Sequence, residues 1–550
     1  EFDGFLCEIK ESQIRDGLHI LGQLPEEGSL TDLLVSLVRL DQDGVRGITA
    51  AIAEDMGIDY DALLADPAKP VDHPEFRTAG ALIENLEHRA REAVSANKPI
   101  GPRSAETFRF LNEVVRPRLE RVPDEISHIL LALDGRFVPP GPSGAPTRGM
   151  ANILPTGRNF YSVDICAIPT RTACEVGRRA AEGVLERYLK ETGEYPTSLG
   201  IVVWGTSNMR TGGDDIGEIL YLLGVRPVWQ GINRRVIGIE VIPLEELGRP
   251  RIDVVVRISG FFRDAFPNVV DMLDEAIRTV AELDEPPGEN FVRAHISEEI
   301  GSGVDSSRAG YRIFGSKPGG YGAGLLNLID ERNWSTDEDL TEVYVNWGGY
   351  AYGKGTPGIR AFEEFRRRLS GVKIAVQNQD NREHDIFDSD DYFQFHGGMI
   401  ASIRHLTGTS PKAYLGDTSK PDRVKVRSLQ EEVARVYRSR VINPKWIESI
   451  QRHGYRGASE LAATVDYLFG YDVTAHVIES WMYEKVAESY LLDERVRQFL
   501  EEKNPWALRS MVERLMEAQE RGYWESPPAE LIEELKRIYL ESEAEVEERE

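Results

Sequence analysis

Two kinds of apolar stretch alternate between residues 151 and 300. SLGIVVWGT has the apolar character of a buried strand, and RIDVVVRISGFF also predicts a strand. Three other stretches repeat apolar residues with a helical period, namely ACEVGRRAAEGVLERYLKE, DIGEILYLLG ending at Gly224, and VVDMLDEAIRTVAELD. This alternation predicts an α/β fold with a parallel sheet covered by helices on both faces. Ligands of such sheets bind beyond the carboxyl ends of the strands, where the loops WGTSNMRTGGDD and SGFFRDAFPN fall.

The flanking regions have other patterns, so the sequence predicts four segments. Residues 1–150 form a mixed α/β segment. It is expected to continue from a missing N-terminal part, because EFDGFLCEIK at the start resembles a strand in mid-domain and position 1 is Glu. Residues 151–300 form the parallel-sheet domain. Residues 301–425 are rich in glycine, which predicts loops that line a cavity. Residues 426–550 are largely helical.

Composition narrows the possible partners. The 550 residues carry a formal net charge of −27, which repels nucleic acid and anionic membranes, so neither is an expected partner. Cys7, Cys166 and Cys174 form no even framework and no CxxC pair, which favours buried thiols in a reducing cytoplasm. No apolar stretch reaches the roughly 20 residues of a membrane span.

Nucleotide-binding motifs are missing from the sequence. GYRIFGSK, residues 310–317, comes nearest to a phosphate-binding loop, but its Ser and Lys stand in the wrong order and Pro318 follows. No GxGxxG follows a strand, and neither GxSxG nor HExxH occurs. If the protein uses ATP, we expect a partner subunit to hydrolyse it.

Glu8 in CEIK and His19 in DGLHILG are the first candidate pair. Glu8 shares a strand face with Leu6 and Phe2, which is an unusual place for a carboxylate. In an enclosed site, a carboxylate or an imidazole can accept a proton or bind a metal. Spacing alone fits an exposed Glu beside a core His at least as well.

Two further groups are candidate metal ligands. On a helix, His295, Glu298 and Glu299 lie on one face, although this spacing is common by chance. In IFDSDDYFQFHGGM, a helix would align Asp388 with His396 and stop at Gly397-Gly398. The acidic residues of this motif are equally well explained as helix caps.

Arginine and aromatic side chains concentrate on the predicted loops. Guanidinium groups can hold ligand carboxylates or amides, and aromatic rings can stack on a flat ligand. Each residue alone fits ordinary packing equally well, but together they are candidates for substrate binding. The candidates are Arg158, Arg210, Arg263 and Arg312, with Tyr161, Phe261, Tyr321 and Trp347.

Long segments, in order along nearly the whole chain, resemble the large subunits of cobaltochelatase and magnesium chelatase. RIFGSKPGGYGAG and DIFDSDDYFQFHGGM are closer to the cobalt branch. Family large subunits are about twice as long, so the chain resembles their C-terminal half. The other matching segments are KESQIRDGLHILG, LPTGRNFYSVD, VVWGTSNMRTGGDDIGEILYLLGVRPVW, ELGRPRIDVVVRISGFFRDAFPN, KVRSLQEEVARVYRSRVINPKWIESIQRHGYRGASEL and ERGYWES.

This resemblance implies a ligase that forms nitrogen–metal bonds. The implied reaction inserts Co²⁺ into a corrin-type tetrapyrrole, hydrogenobyrinic acid a,c-diamide, for cobalamin biosynthesis. Implied partners are an AAA+ ATPase subunit, which hydrolyses ATP-Mg, and a metal-binding-domain adaptor subunit. Glu8 is then a metal-delivering ligand or base, His19 a base or transient ligand, and Asp388 with His396 a second cluster on the metal's path.

Three other functions remain open at this point. Magnesium insertion into protoporphyrin IX is the first, and a tetrapyrrole-binding module without catalysis is the second. The third, a nucleotide- or sugar-dependent α/β enzyme, is disfavoured because no phosphate-binding glycine motif follows a strand.

Overall fold

The structure is a computed structural model that describes residues 18–42, 44–67, 69–161, 163–231 and 234–549. Glu8 lies outside these residues. The chain divides into two compact units. The first unit comprises Glu1–Ser162 and Arg438–His453, and the second comprises Val163–Tyr437 and Gly454–Glu550. The predicted boundaries at 300 and 425 therefore both fall inside the second unit.

The first unit is mainly helical. Its core is a cluster of buried side chains that includes Leu37, Ile52, Leu86 and Leu111. Two short strands, β1 (Pro140–Pro142) and β2 (Asn159–Tyr161), pair in parallel. The α-helices of this unit are Glu27–Leu37, Ile48–Asp55, Tyr60–Ala65, Ala79–Ala96, Pro102–Phe110, Arg116–Leu119, Asp124–Leu133 and Pro444–Gln451, and Leu111–Val115 forms a π-helical turn.

The second unit is built on an eight-stranded sheet with the order β12-β11-β10-β3-β6-β7-β8-β9. The five strands from β11 to β7 are parallel, and β12, β8 and β9 are antiparallel to their neighbours. β4 and β5 form a separate antiparallel pair. The strands are β3 (Ser198–Val203), β4 (Val225–Trp229), β5 (Val236–Val241), β6 (Asp253–Ile258), β7 (Ile313–Gly315), β8 (Tyr350–Gly353), β9 (Thr356–Arg360), β10 (Ile374–Gln379), β11 (Lys412–Asp417) and β12 (Lys425–Ser428).

Helices cover both faces of this sheet, as predicted. On one face, Leu199 and Ile201 of β3 belong to a core that also contains Ile219 and Leu273 from helices Asp214–Leu223 and Pro267–Glu282. Gly200 faces the other side, where a Cβ atom would lie 2.6 Å from Met399 Sδ. β3 is almost entirely apolar because both of its faces are buried.

Residues 301–425 form more regular structure than the glycine content predicts. This part of the chain supplies β7 to β11, so it completes the sheet instead of forming a separate loop region. The predicted boundary at 300 falls within helix Phe291–Gly301. β7 and β8, with three and four residues, are too short to show a periodic pattern.

The end of the chain is helical, as predicted, and no described helix is both long enough and apolar enough to cross a membrane. The α-helices of the second unit are Arg171–Thr192, Gly205–Thr211, Asp214–Leu223, Leu244–Leu247, Gly260–Ala265, Pro267–Glu282, Phe291–Gly301, Ser306–Ala309, Leu325–Asp330, Asp337–Gly348, Phe362–Gly371, Asp390–Tyr392, Gly398–Thr407, Leu429–Val436, Gly454–Ala475, Ser480–Val486, Glu494–Lys503, Pro505–Glu520 and Ala529–Arg549.

Candidate functional site

His19 forms a close pair with a carboxylate in the first unit. Its Nε2 lies 2.9 Å from Glu125 Oε2, and the Gly22 backbone N–H donates to the same oxygen at 2.8 Å. The His19 side chain is 57% exposed, whereas that of Glu125 is 8% exposed. The pair therefore has a buried anion on one side and an accessible imidazole on the other.

The local fold places these two residues together. Glu125 lies in the first turn of helix Asp124–Leu133, and Gly22 has a φ of +74° in a turn that packs against Ile126. The loop before β2 also packs on this helix, because a Cβ at Gly157 would lie 2.6 Å from the Glu125 backbone nitrogen. Glycine at positions 22 and 157 thus permits the close approach that the pair requires.

Glu125 is held as a carboxylate. Burial alone would raise its pKa, but hydrogen bonds from Thr156, Gly22 and His19 outweigh burial and lower the pKa below its usual value. An ionised carboxylate only accepts hydrogen bonds, so it favours the tautomer of a neutral His19 that carries its proton on Nε2 and its lone pair on Nδ1. His19 can consequently accept a proton or bind a metal through Nδ1. Glu125 is 106 residues away from His19, so spacing along the sequence does not indicate that the two residues pair.

An apolar surface continues from this pair along the same helix. Ile126, Ile129, Leu130 and Leu133 of helix Asp124–Leu133 are between 46% and 80% exposed. Exposed apolar groups that adjoin one another on a folded protein are typical of binding surfaces.

Two predicted substrate-binding residues lie in the same unit. Tyr161 ends β2 and is exposed beside Phe160, as expected for a ring that could stack on a ligand. Arg158 is half-buried, donates from Nη2 to Leu154 O at 3.0 Å, and packs on Gly141 of β1. Tyr161 is therefore more available to a ligand than Arg158.

In the second unit, Arg210 lies at the carboxyl edge of the parallel strands. β3 pairs with β6 on one side and with β10 on the other. The chain continues from β3 to β6 and only later adds β10 on the opposite side, so the strand order reverses between β3 and β10, which is the switch point of the sheet. Crevices of α/β proteins open at such a point. There, Arg210 donates to both carboxylate oxygens of Asp380, from Nε at 2.9 Å and from Nη2 at 2.8 Å.

Arg263 and Tyr321 meet at the same edge. Nη1 of Arg263 donates to the backbone oxygens of Lys317 and Gly320, each at 2.9 Å, and so holds the glycine-rich loop after β7. Asp264 pairs with Arg263 and accepts a hydrogen bond from the Tyr321 hydroxyl at 2.6 Å. Arg263 is thus occupied by protein groups, whereas the ring of Tyr321 is 57% exposed.

The sequence predicted that a helix ends at Gly397-Gly398, in the motif that contains His396. This prediction is wrong. A π-helical turn spans Phe393–Gly397, and helix Gly398–Thr407 follows without a break. Both glycines serve packing, because a Cβ at Gly397 would collide with Thr474 and one at Gly398 would lie 2.6 Å from Tyr344.

The two candidates in this motif have different surroundings. Asp388 lies in the turn before the motif's helix, where its carboxylate accepts the Asp385 N–H at 2.7 Å. His396 is fully buried, with Nε2 3.2 Å from Ala375 O, and burial lowers its pKa to about 4. Its imidazole is therefore neutral near pH 7, and a role for either residue on a metal path remains a prediction.

Arg312 and His295 lie at the opposite, amino edge of the sheet, where both contact Asp253, the first residue of β6. Arg312 Nε donates to Asp253 Oδ1 at 2.6 Å, and His295 Nδ1 lies 2.7 Å from Asp253 Oδ2. Burial would raise the pKa of Asp253, but the two partners lower it to about 2. Arg312 is 1% exposed, so the proposed contact with a substrate is replaced by a buried ion pair.

The three predicted metal ligands of helix Phe291–Gly301, His295, Glu298 and Glu299, do not share one site. Glu299 pairs with Arg368, and Glu298 is exposed to solvent. Within the described ranges, no group of three or more His, Cys, Asp or Glu side chains is arranged to hold a metal ion. Helical spacing alone suggested this set of ligands. In the structure, His295 and Glu299 instead form ion pairs with residues distant in the sequence.

Fold and sequence together define the class of this protein. The family model CobN/Magnesium Chelatase matches residues 1–531, and the chain belongs to that family. The chain is 46% identical to the aerobic cobaltochelatase subunit CobN of Pseudomonas aeruginosa, over 99% of this chain and 46% of that protein. It is 30% identical to the chloroplastic magnesium-chelatase subunit ChlH of Oryza sativa subsp. indica, over 98% of this chain and 42% of that protein.

A solved structure supports the same assignment. The catalytic subunit of cobaltochelatase from Mycobacterium tuberculosis matches with a TM-score of 0.93 and 50% identity, over 99% of this chain and 46% of that chain. The chain thus spans about half the length of the relatives that it matches. The resemblance inferred from the sequence is confirmed.

Proposed function

We propose that this chain is the part of a cobaltochelatase large subunit that accepts protons during metal insertion. In this proposal the whole protein inserts Co²⁺ into hydrogenobyrinic acid a,c-diamide for cobalamin biosynthesis. Identities of 46% and 50% to cobaltochelatase subunits, against 30% to a magnesium-chelatase subunit, favour cobalt over magnesium. ATP hydrolysis is assigned to an AAA+ partner with an adaptor subunit.

The pairing of His19 with Glu125 is the observation that carries this proposal. A corrin ring binds a metal as a monoanion, so its one inner N–H proton must leave when the four nitrogens bind Co²⁺. In the proposed step, Nδ1 of His19 takes one proton, and the Glu125 carboxylate stabilises the resulting imidazolium. Glu8, outside the described residues, remains the predicted ligand that delivers the metal, or an alternative base.

The surroundings of the pair fit a flat, largely apolar ring. The apolar side chains of helix Asp124–Leu133 offer contact area, and the exposed Tyr161 offers a ring for stacking. The peripheral amides and carboxylates of the corrinoid then require polar contacts, for which Arg158 is a candidate in this unit.

An absorbance titration tests the proposal. Metal-free hydrogenobyrinic acid a,c-diamide and protoporphyrin IX are each titrated into the chain, and Co²⁺ or Mg²⁺ is then added with ATP and the partner subunits. We expect binding of the corrinoid and conversion of its spectrum to that of the cobalt complex. Conversion of protoporphyrin by Mg²⁺ would instead assign the magnesium reaction, and binding without any conversion would indicate a non-catalytic module.

A further inference from the structure

Four buried polar side chains form a connected group beneath the switch point of the sheet. We call Asn208, Asp215, Glu218 and Asn378 the acid–amide cluster. Asn208 Nδ2 donates to Asp215 Oδ2 at 2.7 Å, and Asn378 Nδ2 donates to Asp215 Oδ1 at 2.9 Å and to Glu218 Oε2 at 2.6 Å. None of the four residues is more than 6% exposed.

The cluster has more acceptors than donors. Asn208 Nδ2 also donates to Trp204 O at 2.8 Å, so all four amide hydrogens of the two Asn side chains are in use. Asn208 Oδ1, Asn378 Oδ1 and Glu218 Oε1 remain buried without a hydrogen-bond partner among the described residues. Rotating either amide by half a turn would point its oxygen at the Asp215 carboxylate, so the amide orientations are fixed by repulsion.

The charge of the cluster is also uncompensated at Glu218. No described Lys, Arg or His forms an ion pair with this side chain, and Asp215 and Asp214 add like charge nearby. A proton on Glu218 would remove one charge but would supply only one hydrogen for three unpaired oxygens. Buried polar atoms that lack partners are costly, at about 1–3 kcal/mol each, so their presence in one place calls for a ligand.

We propose that the acid–amide cluster binds a hard divalent cation, Mg²⁺ or Ca²⁺, through its carboxylate and amide oxygens. Such cations prefer oxygen ligands of both kinds, and two carboxylates balance the charge. The cluster has two carboxylates, too few to form a metal site of Asp, Glu, His or Cys alone, and its amide oxygens complete the ligand set. This site is separate from the proton-accepting pair of the first unit and from the inserted Co²⁺.

The position of the cluster assigns the ion a structural task. Asp215 and Glu218 belong to helix Asp214–Leu223, and Asn378 belongs to β10, so the ion would join the helix to the strand. The segments that carry Arg210 and Asp380 adjoin these two elements. Asn378 Oδ1 packs against Gly416 of β11, where the Cβ atom of any side chain would collide with this oxygen.

The test uses the full chain without nucleotide, corrinoid or partner subunits. The protein is stripped with a chelator, re-equilibrated with Mg²⁺ or Ca²⁺, passed through gel filtration and analysed for bound metal. Thermal unfolding is followed in MgCl₂, in CaCl₂ and in NaCl of equal ionic strength. We expect one bound ion per chain and, at a concentration about a hundredfold above Kd, a shift of the unfolding equilibrium by about a hundredfold.

Two variants and a matched control make the result specific. Glu218→Gln removes the charge with the same shape, and Gly416→Ala displaces the Asn378 amide without changing charge; both should lose the ion and its stabilising effect. Gly301→Ala, where a Cβ meets nothing within 4 Å, should behave as the wild type. The proposal is overturned if the wild type retains neither metal and if MgCl₂ and CaCl₂ change its thermal unfolding no more than that of the two variants. The cluster would then be protonated or hydrated.

Discussion

Replacing Asp253 by Asn tests whether Arg312 and His295 have a structural role. The carboxylate lies within 2.7 Å of both partners and is 1% exposed. Its pKa falls from 3.8 to about 2, which corresponds to about 2 kcal/mol of stability. Breaking a buried pair also leaves Arg312 uncompensated, a loss of about 3–5 kcal/mol in comparable cases. We therefore expect Asp253→Asn to destabilise the chain by about 3 kcal/mol.

Thermal and denaturant unfolding of the two proteins at neutral pH measure this loss. Because the pKa of Asp253 is lowered in the folded state, its contribution is present above pH 3.8 and is lost as the pH falls through about 2. The difference between variant and wild type should therefore shrink in acid. Glu298→Gln, at an exposed position, is the control and should change stability by less than about 0.5 kcal/mol. If Asp253→Asn unfolds like the wild type but loses corrinoid or metal binding, the structural assignment is wrong.

Three further predictions concern buried or closely packed groups. Glu125→Gln should slow metal insertion and shift its pH profile while corrinoid binding persists; an unchanged profile would argue against the role of Glu125. Gly157→Ala, at a φ of +75° and against the Glu125 backbone, should cost more than about 1 kcal/mol in denaturant unfolding, and a neutral result would contradict the packing. Arg257 is fully buried between Tyr344 and Phe395, and its Nε and Nη2 have no hydrogen-bond partner in the part of the chain that the structure describes. Arg257→Met should therefore leave the denaturant midpoint unchanged or raise it, and a large fall would contradict this.

The middle of the fold could be predicted because its elements are long and its strands are buried on both faces. Strands of this kind appear as apolar runs, such as Leu199–Val203 in β3 and Val254–Val256 in β6, and the helices between them carry a clear period. In residues 301–425, β7 and β8 could not be predicted because they have only three and four residues. β10 has six residues, as β3 has, but its second half is Gln377, Asn378 and Gln379, which breaks the apolar run. Gly397 and Gly398 indicated a helix end, but tertiary packing explains both.

The candidate sites were predictable only in part. Arg210 and Arg263 follow the carboxyl ends of β3 and β6, as predicted, but they lie in the short helices Gly205–Thr211 and Gly260–Ala265 and not in loops. The roles assigned to these residues, to His19 and to Tyr321 stay predictions. Partners distant in sequence could not be predicted, because spacing describes only neighbours along one helix or strand. Glu125 for His19, and Asp253 for His295 and Arg312, are such partners.

The proton-accepting role of His19 is tested most directly by comparing His19→Ala with the wild type in two measurements on the same preparations. The first is the affinity for metal-free corrinoid, and the second is the rate of Co²⁺ insertion with ATP and partner subunits. We expect unchanged affinity and a rate lowered by about 10²–10⁴-fold. Insertion by His19→Ala at the wild-type rate, with corrinoid fully bound, would contradict the proposed mechanism.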